Sequence, residues 1–155
     1  MRIEHDGSPA WGELRDGEIV LDSGGSVDPA VAKWLAPVEP SKILAVHLTY
    51  RSRLVEYGAR QPAEPSYFMK PPTTLNGHLG AIRRPRGARY LNYEGELAVV
   101  VGRRMHGVSE ADVLDHVYGV APANDAGLHD FRHADRGAML RVRGRTASCR
   151  SARRS

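Results

Sequence analysis

The chain has 155 residues, with 22 lysines and arginines, 18 aspartates and glutamates, and a formal net charge of +4. A hydrophobic fraction of 41% and a charged fraction of 26% are ordinary for a soluble globular domain and exclude gross disorder. No apolar run approaches the roughly 18 residues of a membrane span, and the N-terminus lacks the features of a signal peptide, so we expect a cytoplasmic protein without membrane contact. The single cysteine, Cys149, excludes internal disulfides and cysteine-based zinc sites.

The positive charge is concentrated at the C-terminal end. Residues 141–155 contain six arginines and no acidic residue, which leaves 16 basic and 18 acidic side chains in the first 140 residues. The body of the chain is therefore mildly acidic. A further arginine cluster within residues 83–89 has no interleaved aromatic residues that would stack on bases, so we predict no nucleic-acid partner.

Residues 1–40 are predicted to form a small β-module. Residues 9–14 and 18–21 have strand-like patterns and are joined by an Asp-Gly turn. Asp28 is expected to cap a short helix that runs through Trp34. The segment is too small for a core of its own, so we expect it to pack against the region that begins at Lys42.

The next region begins with a short, continuously apolar segment at residues 43–46. This pattern predicts a strand buried on both faces. A short helix over about residues 52–57 should come next and end at Gly58. Residues 66–70 predict a brief strand, and the proline- and glycine-rich stretch up to Gly87 predicts mostly loop.

The clearest strand pattern covers residues 90–102, where alternate side chains point to opposite faces. One of these faces begins acidic and then turns apolar. A capping-box pattern at Ser109 predicts a helix to about residue 115 or 117. Residues 117–123 predict another strand, which ends at Asn124 and Asp125.

Three carboxylates form the strongest candidate site. Glu94 and Glu96 are two residues apart on a predicted strand, so their side chains point the same way and start about 7 Å apart. An exposed pair of this kind is usually just solvated, but the same face continues with Ala98 and Val100, and Asp125 arrives at a strand end. Buried carboxylates require a cation or protons, and hard oxygen ligands favour Mg²⁺ or Mn²⁺.

Four stretches resemble the C-terminal-like catalytic domain of the fumarylacetoacetate hydrolase family. They are KILAVHLTYRSRLVEYG, PSYFMKPPTTLNG, RYLNYEGELAVVVGRRMHGVSEADVLDHVYG and ANDAGLHDFRHADRGAMLRV, which together cover roughly residues 42–142. Asp125 follows Glu96 by 29 positions, in agreement with the spacing of the family's metal motif. The resemblance implies that Glu94, Glu96 and Asp125 bind the divalent metal, and it implies a homodimer.

The resemblance also implies a fold class and a reaction class. The expected fold is α+β and mostly β: an incomplete mixed β-sheet or roll with short helices, beside the N-terminal β-module. The nearest look-alikes isomerise or decarboxylate 2-oxo or 2-hydroxy-dienoate acids in aromatic catabolism, with a metal that stabilises the enolate. The alternative within the family is hydrolysis of a C–C bond in acylpyruvates or fumarylacetoacetate.

Three further residues are implied to act on the substrate. Lys70 lies in the family's Phe-x-Lys-Pro pattern and would donate to substrate oxygens. Hydrolytic members carry His and Glu three apart on the short helix, and here Arg53 and Glu56 stand at these positions. Arginine cannot act as a general base at neutral pH, which favours isomerisation or decarboxylation; Arg53 either binds a substrate carboxylate or is simply solvated. A second metal site at His129 and His133, spaced as on a helix, is not implied by the family.

The sequence divides into residues 1–40, 41–142 and 143–155. Family members continue beyond residue 142 with a lysine near the position of Arg143 and a further β-rich half. The last segment, RGRTASCRSARRS, has the composition of a GC-rich coding sequence read out of frame, so we hypothesise a truncated or frame-shifted chain with exposed apolar strand edges and impaired activity. The alternative from another class is a non-catalytic module that binds acidic partners through this arginine-rich tail.

Overall fold

The computed structural model describes residues 1–144. This part of the chain is mostly β with short helices, which confirms the predicted fold class. The strands are β1 (Arg2–His5), β2 (Ser8–Arg15), β3 (Glu18–Leu21), β4 (Ser26–Val27), β5 (Lys33–Trp34), β6 (Ile43–Val46), β7 (Tyr67–Lys70), β8 (Leu91–Asn92), β9 (Gly95–Val101), β10 (Val117–Asn124) and β11 (Gly127–Leu128). The helices are α1 (Arg51–Glu56), α2 (Leu140–Arg143) and the 3-10 turns Pro72–Thr74, Val113–His116 and His129–Phe131.

The N-terminal module is an antiparallel sheet with the strand order β4-β3-β2-β1-β5. Its core consists of the buried side chains of Ile3, Ile19 and Leu21, against which Trp34 packs. The predicted helix through Trp34 is wrong, because β5 instead pairs with the edge of β1, with Trp34 opposite Ile3. The aromatic side chain thereby packs against the core, whereas a short helix has little stability of its own.

The module packs on the region after position 40, as expected. The ring of His78 meets the Trp34 ring edge-on, with centroids 6.1 Å apart. A Cβ atom on Gly77 would overlap the Trp34 carbonyl oxygen, so the two backbones approach too closely for any side chain at this position.

Strands β6 and β7 form an antiparallel pair that places Ile43 opposite Lys70. The predicted strand boundaries are confirmed, but the prediction of burial on both faces is wrong: Leu44 is 60% exposed, on the face that alternates with the half-buried Ile43 and Ala45. Helix α1 follows β6 and ends before Gly58, whose φ of +58° is the left-handed conformation that favours glycine after a helix.

The predicted strand over residues 90–102 is divided. β8 pairs with β11, whereas β9 pairs with β10 in an antiparallel ladder. One face of this ladder is half-buried, and the other exposes large apolar side chains, including Leu97 (67%) and Tyr118 (79%). The predicted helix after Ser109 is also wrong: the Ser109 hydroxyl donates to the Asp112 carboxylate at 2.7 Å rather than accepting from a backbone N–H, and only turns and a 3-10 turn form.

Within residues 1–144, no helix is both long and apolar enough to cross a bilayer.

Candidate functional site

The antiparallel ladder of β9 and β10 gathers the three predicted carboxylates at one end. The register pairs Glu96 with Ala123 and Gly95 with Asn124, so the end of β10 lies beside the start of β9. The junction is fixed by two hydrogen bonds: the Asp125 N–H donates to the Glu94 carbonyl at 2.9 Å, and the Glu94 N–H donates to Asn124 Oδ1 at 3.1 Å. Glu96 and Asp125, which are 29 positions apart in the sequence, thus lie at the same end of the ladder because β10 runs antiparallel to β9.

Lys70 joins this site from β7. Its ammonium group donates to Asp125 Oδ1, and both side chains are largely buried, with 12% of the lysine and 16% of the aspartate side chain exposed. The structure therefore places Lys70 beside a carboxylate predicted to bind the metal.

Arg143 is the second cation in the site. One terminal nitrogen of its guanidinium lies 2.5 Å from Glu94 Oε1, and the other lies 2.5 Å from the Asp125 carbonyl oxygen and 3.3 Å from Asp125 Oδ2. Its side chain is only 6% exposed. Sequence alone assigns Arg143 to the arginine-rich tail, but the structure places it in α2 and in contact with the carboxylates.

Glu96 differs from the other two carboxylates because it makes no ion pair or side-chain hydrogen bond within the described part of the chain. Burial raises the pKa of Glu96, and the nearby negative charges of Glu94 and Asp125 raise it further, while the charge of Arg143 acts in the opposite direction. Glu96 is thus the carboxylate whose negative charge is least compensated.

His129 lies at the edge of the site. Its Nε2 atom is 3.6 Å from Glu94 Oε1, which is too long for a hydrogen bond. Burial lowers the pKa of His129 and the charge of Arg143 lowers it further, although Glu94 opposes the change. His133 is exposed and the two residues do not continue a common helix. Sequence analysis missed the contact of His129 with Glu94.

Arg53 and Glu56 pair with each other on α1. Arg53 donates to Glu56 Oε2 at 2.6 Å, both side chains are substantially exposed, and the hydrogen bond to Glu56 raises the pKa of Arg53. The Tyr50 hydroxyl, just before α1, donates to the Gly95 carbonyl at 2.7 Å and so ties this helix to the start of β9. The contacts among Lys70, Glu94, Asp125 and Arg143 do not include the α1 pair.

The donor types in the site suit a hard divalent cation, since all three candidate ligands are carboxylates. The three carboxylates are not arranged as a metal site in this structure. Between residues 1 and 144, no three His, Cys, Asp or Glu side chains form a group that could hold a metal ion. Glu94 and Asp125 instead contact the cationic side chains of Arg143 and Lys70.

Comparison with known proteins identifies the family. The model of the fumarylacetoacetate hydrolase C-terminal domain matches residues 42–152. The chain belongs to this family. The match extends past residue 142, where the sequence-based resemblance ended.

Several relatives show the range of proteins that this family member is similar to. It is 38% identical over 120 residues to an uncharacterised protein of Archaeoglobus fulgidus, covering 77% of this chain and 48% of that protein. It is 37% identical over 103 residues to the homoprotocatechuate catabolism bifunctional isomerase/decarboxylase of Escherichia coli, covering 66% of this chain and 24% of the enzyme.

Solved structures give the same result. The crystal structure of 5-carboxymethyl-2-hydroxymuconate delta-isomerase from Mycobacterium smegmatis superposes with a TM-score of 0.78 at 30% identity, and covers 94% of this chain and 61% of that chain. The chain therefore spans about half the length, or less, of the curated relatives that it matches and about three fifths of this solved structure.

Proposed function

We propose that this chain carries the metal-binding strand pair of a divalent-cation-dependent enzyme that isomerises or decarboxylates a 2-oxo or 2-hydroxy-dienoate acid. The observation that carries the proposal is the convergence of Glu94, Glu96 and Asp125 with Lys70 at one end of the β9–β10 ladder. The similarity to an isomerase and to an isomerase/decarboxylase supports this reaction class.

Mg²⁺ or Mn²⁺ is the proposed cofactor, with Glu94, Glu96 and Asp125 as its ligands. A bound divalent cation would supply Lewis-acid stabilisation of negative charge on the substrate oxygens. Because Glu94 and Asp125 both contact the guanidinium of Arg143 in this structure, a metal ion would have to displace Arg143, whereas Lys70 keeps its contact with Asp125 Oδ1. Glu96, which has no ion-pair partner among the described residues, is the ligand available without rearrangement.

Lys70 is proposed to orient the substrate. Its ammonium group has three donors, of which one is directed at Asp125. The remaining donors can contact a substrate oxygen while the lysine is still held in the site. A small-molecule oxo acid, with several carboxylate and carbonyl oxygens, offers the acceptors that this arrangement requires.

The Arg53–Glu56 pair on α1 favours isomerisation or decarboxylation over C–C hydrolysis. Hydrolysis requires a group that activates water, and Arg53 remains protonated at neutral pH, while Glu56 accepts a hydrogen bond from Arg53 at 2.6 Å. Arg53 is also exposed, and Tyr50, three residues before it, donates to the Gly95 carbonyl at the start of β9. We therefore assign Arg53 to a substrate carboxylate, which would replace Glu56 as its partner.

Titration with Mn²⁺, with unbound ion measured by electron paramagnetic resonance, tests the metal site directly. Substitution Glu96→Gln should weaken binding about tenfold or more, because even changes outside the ligand shell cost about 10–100-fold in affinity. The exposed residue Glu110 provides a matched control, Glu110→Gln, which should bind Mn²⁺ like the unaltered chain. Equal affinities for both variants would rule out Glu96 as a ligand.

A spectrophotometric assay of 2-hydroxyhepta-2,4-diene-1,7-dioate isomerisation with Mg²⁺ tests the reaction class. We expect isomerisation that requires Mg²⁺ and is lost in the Glu96→Gln variant. Equal rates with and without Mg²⁺ would contradict the proposed reaction.

Homodimer formation is a further proposal. The large apolar side chains on the outer face of β9 and β10 are exposed in the single chain and offer a surface for association. Sedimentation velocity at micromolar concentration should show a species of twice the chain mass; a monomer at all concentrations would contradict it.

A further inference from the structure

The Arg143 side chain is only 6% exposed, although arginine side chains usually lie at the protein surface. Its guanidinium spans the gap between Glu94 and Asp125 and contacts the carboxylates of both residues, as well as the Asp125 carbonyl oxygen. These are two of the three carboxylates that the proposed function assigns to the metal. One side chain of the protein therefore supplies positive charge where a divalent cation is expected to bind.

The surrounding structure holds this guanidinium in place. The Asp135 carboxylate accepts the N–H groups of Arg141 at 2.6 Å and Val142 at 2.9 Å, which anchors the first turn of α2. Val142 is 2% exposed, so the helix is also fixed by burial. Gly127 lies against the guanidinium: a Cβ atom at residue 127 would lie 3.1 Å from the nearest terminal nitrogen of Arg143.

The guanidinium is nevertheless not fully satisfied. Its Nε atom is buried and has no hydrogen-bond partner among the described residues. A buried donor without a partner carries a desolvation cost, which reduces the net stability of this arrangement. Release of Arg143 from the carboxylates therefore costs less than the number of its short contacts suggests.

The geometry points to Arg143 as an internal cation that competes with the divalent metal for Glu94 and Asp125. This inference rests on the proposed function, in which these carboxylates bind the metal. The lone pairs that accept from the guanidinium are not free to coordinate an ion, and the positive charge of the guanidinium opposes the approach of a second cation. Metal binding then requires Arg143 to withdraw from the carboxylates. The apparent metal affinity therefore equals the intrinsic affinity multiplied by the fraction of molecules in which Arg143 has withdrawn.

Mn²⁺ titration of the full chain, with free ion measured by electron paramagnetic resonance, tests the competition. Substitution Arg143→Gln removes the charge and should raise the Mn²⁺ affinity about tenfold or more, as expected for loss of a charge-assisted contact. Arg143→Lys keeps the charge but cannot bridge two carboxylates with a planar fork, so its affinity should be intermediate. Arg141→Gln, an exposed neighbour on the same helix, should leave the affinity unchanged.

If Arg143→Gln does not fold, Arg143→Lys decides the question, because its Mn²⁺ affinity should still exceed that of the unaltered chain. Affinity at or below that of the unaltered chain in every folded Arg143 variant, together with loss of binding in Glu96→Gln, would overturn the competition and leave the metal site intact. Absence of Mn²⁺ binding in every variant would overturn the proposed metal site and the competition together.

Discussion

Removal of the Asp135 carboxylate should release α2 and, with it, Arg143. A single oxygen, Asp135 Oδ2, accepts both the Arg141 N–H and the Val142 N–H, two of the unpaired donors at the start of the helix. Asp135 itself is only 9% exposed. Asp135→Ala therefore leaves two N–H groups without partners, and that of Val142 is buried.

The expected loss of stability follows from these two bonds. An unpaired buried donor costs about 1–3 kcal/mol, and the Arg141 N–H recovers part of this by contact with water, so we expect the free energy of unfolding to fall by about 2–4 kcal/mol. For a chain of this size, each kcal/mol corresponds to about 2–4 °C in Tm, which gives a decrease of roughly 4–16 °C.

Thermal unfolding followed by circular dichroism measures the change, and the Mn²⁺ titration measures its consequence for the site. Asp135→Asn keeps one side-chain oxygen that can accept both N–H groups, so its Tm should fall less than that of Asp135→Ala. Asp115→Ala, at an exposed position in a 3-10 turn, should have little effect. If Asp135→Ala unfolds at the temperature of the unaltered chain, and its Mn²⁺ affinity does not rise, α2 does not hold Arg143 through the Asp135 carboxylate.

Five further substitutions test other parts of the structure by thermal unfolding. Hydrogen bonds from two backbone N–H groups lower the pKa of Asp130, so the stability that its carboxylate contributes is complete above the unfolded pKa of 3.8 and is lost as the pH falls through the folded pKa. Asp130→Asn should therefore lower Tm at pH 7 but much less near pH 3. An equal decrease in Tm at both pH values would contradict this. Gly77→Ala places a methyl group against the Trp34 carbonyl and should cost about 1–3 kcal/mol, whereas Gly119→Ala, with no atom within 4 Å of the new Cβ, should be far milder. Ile19 is fully buried, so Ile19→Ala should cost about 2–5 kcal/mol and Ile19→Val about 0.5–1.5 kcal/mol; equal losses would indicate that Ile19 is not closely packed in this core.

Local sequence patterns predicted the elements in which neighbouring residues settle the outcome. The apolar run of β6, the glycine after α1 and the alternation in β10 are signals of this kind, and the structure has those elements close to the predicted bounds, whereas the strand predicted over residues 90–102 is divided into β8 and β9. The predicted helix through Trp34 is wrong because Trp34 pairs with a strand that is distant in the sequence. The predicted helix after Ser109 is wrong because the Ser109 hydroxyl donates to the Asp112 carboxylate instead of accepting from a backbone N–H. Trp34 gains a strand partner and a core 31 positions away at Ile3.

The sequence by itself identified the carboxylates of the candidate site, because their spacing on strands and their resemblance to a known motif depend only on residue order. Only the tertiary structure decided which cationic side chains contact two of them, Glu94 and Asp125. Arg143 lies 49 positions from Glu94 and reaches it through the fold of α2 against β11, while Lys70 reaches Asp125 across 55 positions. No periodicity carries information over such distances, since these pairs are selected by burial and by the need of buried charges for partners.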